Sequence, residues 1–170
     1  MAALRPSIKA DIVWSKVDIL TPYQRLTAEM QVRGRLRETI NDPESVFHLH
    51  NIAAEPLLPG AAPLAGIPDG IFNKAFVGGI RLVEPEPPPP DQVMEMMRRY
   101  TLFQGNTFTV SGAAEFPKAA DPNLHQEMLL KGRFFNLYDV TVTIIGAPDK
   151  TWTQPIIWVN RDLMMSLFLG

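Results

Sequence analysis

The chain has 170 residues, 46% hydrophobic and 20% charged, which suits a folded protein with a core of its own. Sixteen Lys and Arg stand against 18 Asp and Glu, for a net charge of −2. This balance lacks the basic excess of a generic nucleic-acid binder, and the absence of cysteine excludes disulfides, thiolate metal sites and thiol nucleophiles.

The N-terminal stretch MAALRPSIKADIVWSK has no apolar run of signal-peptide length, because Asp11 interrupts it. Secretion is not expected, and the chain is assigned to the cytoplasm. No run of about 18 apolar residues occurs, so no spanning helix is expected.

From Gln24 to Arg33, Leu26, Ala28, Met30 and Val32 alternate with polar residues, the period of a strand with one buried face. RLRETIN, Arg35 to Asn41, reads as a short helix, and Val46 to Ile52 as a strand. PGAAPLAGIPDG, Pro59 to Gly70, reads as a long mobile loop of small residues. Ile71 to Val83 closes the segment as a strand pair or a bent strand. EPEPPPPD, Glu84 to Asp91, reads as a semi-rigid polyproline spacer. In the following QVMEMMRRY, Val93, Met96, Met97 and Tyr100 fall at i, i+3, i+4 and i+7, which predicts an amphipathic helix. Phe108 to Pro117 alternates again, Asp121-Pro122 opens a second short helix around Leu124 to Leu130, and Phe134 to Ile145 is a strand rich in β-branched residues. GAPDKT is a short loop, and Ile156 to Leu169 closes the chain.

This order of elements is written twice. QRLTAEMQVR corresponds to FTVSGAAEFP at an offset of 84, FHLHNI to FNLYDV at 88, and IFNK to WVNR at 87. Colinear matches across three blocks point to a tandem duplication. The expected fold is mainly β with short helices: two similar small barrel-like modules, residues 1–83 and 101–170, joined by a Pro-rich linker and short helix at 84–100. The modules are expected to pack through their apolar closing strands and the Met-rich helix.

FNLYDVTV, a short loop and IIWVNRDLMMSLFL resemble the second half of an Sm-like module, a five-stranded, strongly bent barrel. VSGAAEF, with its interior Gly112, is similar to that family's bent second strand. The Arg-Gly pair of the family is Arg161-Asp162 here, and a helix interrupts the strands. The chain also resembles small bacterial β-rich proteins of unassigned function, through Arg35, Leu36, Asn41, Phe47, Leu49, Asn160 and Arg161.

His48 and His50 form an H-x-H pair on one face of a strand, a geometry that zinc or iron sites use. A third ligand is missing nearby, and the corresponding residues in the second half are Asn136 and Tyr138. His125 reads as a surface residue of the second helix. No serine has a nucleophile-elbow context, and Gly78-Gly79 lacks the Lys and hydroxyl residue of a phosphate loop, reading instead as a bend or bulge. No catalytic residue and no cofactor are expected.

Arg33, Arg35 and Arg37, with Arg25 nearby, could contact the phosphates of an RNA. The second half has no such cluster, and a solvated turn is the simpler reading. Asn73-Lys74 and Asn160-Arg161 are the polar pair kept in both halves, and each should fix a turn by side-chain hydrogen bonds. Exposed strand edges need covering. The expected role is therefore a non-catalytic scaffold or assembly protein that self-associates, with Met94, Met97, Tyr100, Met164, Met165 and Phe168 as candidate contact residues.

Overall fold

The structure is a computed structural model that describes residues 12–89 and 94–170. Its strands are β1 (Ile12–Leu20), β2 (Gln24–Arg33), β3 (Val46–Pro56), β4 (Leu64–Asn73), β5 (Gly79–Leu82), β6 (Met96–Gly105), β7 (Phe108–Pro117), β8 (Phe134–Ile144), β9 (Ala147–Asn160) and β10 (Met164–Leu169). Two short helices, α1 (Leu36–Asn41) and α2 (His125–Leu129), lie between β2 and β3 and between β7 and β8. The strands form one antiparallel sheet in the order β10-β6-β7-β8-β9-β5-β1-β2-β3-β4.

The alternating residues of β2 all turn inward: Leu26, Ala28, Met30 and Val32 are buried, as are Val110, Ala114 and Phe116 of β7. Each half repeats the other's pairing. Thr27 faces Ala53 and Glu29 faces His50, with a bulge between them, while Ser111 faces Thr141 and Ala113 faces Tyr138, again with a bulge. Asn51 and Asp139, the residues beside these bulges, both adopt φ 51°, a left-handed conformation that Asn and Asp tolerate better than most residues. Phe47 faces Phe72 as Phe135 faces Val159. At the bulge in β7, a Cβ on Gly112 would lie 2.7 Å from Tyr138 O, so only glycine allows β7 to approach β8 this closely.

Several expectations are corrected. Residues from Met96 onward in the expected helix 92–100 form β6, and Gln92 and Val93 lie outside the described residues. Met97, Thr101 and Phe103 also satisfy an alternating pattern, and nine paired positions with β7 favour the strand over the helical period. β6 thus begins at Met96, ahead of Thr101. β1 had no counterpart in the expected order, although Val17 and Ile19 alternate with Lys16 and Asp18 and are buried. The loop at Pro59 to Gly70 is strand from Leu64: its small residues suit an edge position, where only β3 constrains them.

The halves also join differently. β5 pairs with β9, whereas the second closing strand, β10, sits at the far end of the sheet. The two cores exchange residues across this join. Phe134 packs into the first core, and Leu20 and Leu57 into the second. The proline linker is strapped to the first half: Glu86 accepts from Leu36 N at 2.6 Å, and Arg35 donates to Pro87 O at 2.9 Å.

Candidate functional site: the seam between the halves and the free sheet edges

The seam is short. Its strand pairing consists of Gly79 opposite Val159 and Ile80 opposite Trp158. Both glycines of the Gly78-Gly79 pair are set by what crosses it: a Cβ on Gly79 would meet Ile157 Cδ1 at 2.7 Å, and one on Gly78 would meet the Phe108 ring at 2.6 Å. The pair is therefore a close-approach element of the seam as well as the entry to β5.

Polar groups complete the join. Asn160 is fully buried. Its Oδ1 accepts from Asp162 N at 3.0 Å, capping the 3-10 turn Arg161–Leu163, while its Nδ2 donates to Lys74 O at 3.0 Å and Val77 O at 2.9 Å in the first half. Asn160 N donates to Gly78 O at 2.9 Å. On the other side, the Asn41 side chain accepts from Phe134 N at 2.8 Å and donates to Phe134 O at 3.2 Å, as a neighbouring strand would.

Asn73 occupies the position in the first half that Asn160 holds in the second. Its Oδ1 accepts from Ala75 N at 2.9 Å and caps the 3-10 turn Lys74–Phe76. Its Nδ2 is exposed and bonds to no group among the described residues. The next residues also correspond. Lys74, 1% exposed, donates to Thr39 O at 3.0 Å, pairs with Asp42 and lies 5.0 Å from the Phe47 ring centroid. Arg161 donates to Leu130 O. Each cation thus satisfies the carbonyl end of its own short helix.

The histidines do not converge. His48 is exposed on the outer face of β3, and His50 is held by Asp69, 2.7 Å from Nδ1, and by an edge-on contact with Trp14. Among the described residues no group of three or more His, Asp or Glu could hold a metal ion. His125, expected at the surface, is fully buried and stacks on Phe116 with ring centroids 4.1 Å apart. Its Nδ1 lies 3.2 Å from Arg99 Nη1. A guanidinium only donates, so Nδ1 accepts and Nε2 carries the proton. No local pattern in LHQEMLL signals this burial; it depends on β7 passing beneath α2.

Three of the four candidate arginines are engaged at home. Arg33 pairs with Glu44 at 3.1 Å, Arg35 with Glu86 at 3.5 Å, and Arg25 with Asp18 at 3.4 Å while lying over Trp152. Arg37 makes no ion pair among the described residues. Of the candidate contact residues, Met97 and Met164 pack against the second core, whereas Met94, Tyr100, Met165 and Phe168 are exposed.

Arg98 and Tyr138 form an outer-face pair where the first half has Trp14 and His50. The Arg98 guanidinium lies 4.8 Å from the Tyr138 ring centroid, and reaches Glu115 at 3.0 Å and Asp139 at 2.7 Å. The hydrogen bond to Glu115 raises the Arg98 pKa further. Burial pushes the Tyr138 phenol above its ordinary value of 10.0, and the Glu115 carboxylate adds to the shift. The folded state therefore prefers the neutral phenol. The resulting stability is present below pH 10 and is lost as pH rises through the folded-state value. The difference in phenolate absorbance between wild type and Tyr138→Phe should titrate with a midpoint above 10; a midpoint at or below 10 would refute this environment.

Two strand edges remain. Among the described residues nothing pairs with the outer side of β4 or of β10. Ile71 on β4 is 66% exposed, and Met165 and Phe168 on β10 are 65% and 56% exposed. β10, MMSLFL, carries no charge at all. Comparison with protein-family models, with curated proteins and with solved structures finds no match to this chain.

Proposed function

We propose that the chain is a non-catalytic assembly protein that associates with itself, built by tandem duplication of a small barrel-like module of the Sm-like kind. The observation that carries this reading is the pair of free sheet edges lined with exposed apolar residues. An edge strand presents unpaired N–H and C=O groups, and soluble proteins commonly guard it with charges, prolines or covering segments. Among the described residues β10 has no such guard, and an uncovered edge of this kind is suited to pairing. The duplication is supported by the shared bulge positions, the paired positive-φ residues and the two equivalent asparagine caps.

Arg25, Arg33 and Arg35 are held in ion pairs and the histidines do not converge, so neither set gives comparable support to RNA or metal binding. Light scattering on the purified protein should give a mass above the 19.0 kDa of one chain at micromolar concentration. A strictly monomeric species across that range would overturn the reading.

A further inference from the structure

The seam provides a template for the open edges. β9 and β5 belong to different halves, and the sheet order within each half is the same: β5-β1-β2-β3-β4 in the first, β10-β6-β7-β8-β9 in the second. β4 thus holds the place of β9, and β10 that of β5. The offset of 87 carries Trp158, Val159 and Asn160 onto Ile71, Phe72 and Asn73, and Gly79 and Ile80 onto Ser166 and Leu167. Among the described residues the sheet has one unpaired edge of each kind, at its opposite ends.

We propose that β4 of one copy pairs antiparallel with β10 of a second copy in the register of the internal seam, placing Phe72 opposite Ser166 and Ile71 opposite Leu167. This rests on the self-association reading and specifies its surface. Three observations support it. The residues that the seam buries, Val159 and Ile80, have apolar equivalents at the edges, Phe72 and Leu167. The exposed Nδ2 of Asn73 corresponds to the Asn160 Nδ2 that donates across the seam, and its acceptors in the next copy would be Arg161 O and Met164 O, the equivalents of Lys74 O and Val77 O.

The third is that the bulky members of the seam's close approaches have no counterpart at the edges. At the seam, Gly79 makes room for Ile157 and Gly78 for Phe108. At the edges Ser166 and Gly70 hold the first pair of places, both small, and Met165 and Gln24 hold the second, both unbranched and flexible. No β-branched or aromatic side chain therefore stands at these places to obstruct the approach.

Because the two edges differ, the contact is head-to-tail, and successive copies would close into a ring or continue as a filament. The test blocks one edge at a time. Ile71→Lys places a charge on β4, and Met165→Lys with Phe168→Lys places two on β10, all at exposed positions. Each blocked protein alone should have the mass of one chain, and an equimolar mixture should form a species of twice that mass and nothing larger, since each protein keeps the edge its partner lacks.

Circular dichroism identifies any variant that loses its strand signal; Asn73→Ala and Met165→Lys alone then replace the pair. If wild type assembles and the blocked proteins assemble equally well, this contact is wrong while self-association stands. Monomeric variants that fail to combine when mixed also overturn it, since their two intact edges are the complementary pair; a blocked protein that still dimerises alone overturns it too, since that is the behaviour of a contact between like edges. A monomeric wild type overturns both.

Discussion

Lys74→Met should lower the melting temperature by roughly 5–15 °C. The substitution keeps an aliphatic chain against Phe47 but removes the ammonium that serves Thr39 O and Asp42. Removing one member of a buried ion pair costs about 3–5 kcal/mol, and the Asp42 side chain is 25% exposed, so water recovers part of that. About 2–4 kcal/mol remains, and a chain of this size loses about 2–4 °C per kcal/mol. Lys74→Met combined with Asp42→Asn should recover part of the loss, because the carboxylate no longer lacks its cation. An unchanged melting temperature for the single variant would show that the ammonium contributes no net stability.

The second large effect separates two residues that local sequence makes equivalent. Asn73→Ala removes the cap on Ala75 N, a loss of about 0.5–2 kcal/mol. Asn160→Ala removes the same kind of cap and also the donor to Val77 O across the seam. A buried acceptor left without a partner costs about 1–3 kcal/mol more, for a total of about 1.5–5 kcal/mol. Both variants are measured by chemical denaturation in the Ile71→Lys background, which keeps the outer β4 edge unpaired. Equal losses would mean that the Asn160 amide does not hold the halves together.

Much of the β architecture was legible in the chain. Leu26 to Val32 and Val110 to Phe116 face one core each, so their alternation survives folding unchanged. Both short helices were readable from RLRETIN and from Asp121-Pro122. β6 was not: its methionines fit a helical period within nine residues, and only pairing with β7 favours the strand. β4 was hidden for the opposite reason, since an edge strand with one neighbour needs no strong apolar alternation. His125 shows the same limit at a single residue. Nothing within its helix distinguishes a solvent-facing imidazole from one enclosed by Phe116 and Arg99.

The repeat correspondence identified the Asn-Lys and Asn-Arg pairs as elements common to both halves, and the apolar alternation assigned most of the core. Those properties depend on neighbours close in sequence, and periodicity reports them. Which copy of each element is buried was decided only by the tertiary structure. β5 found β9 and buried Asn160, while β4 and β10 were left at the ends with Asn73 open. Strand partnership is a non-local choice, made by the fit of Gly78 and Gly79 against Phe108 and Ile157, and two nearly equivalent local sequences came to occupy an interior seam and an outer edge.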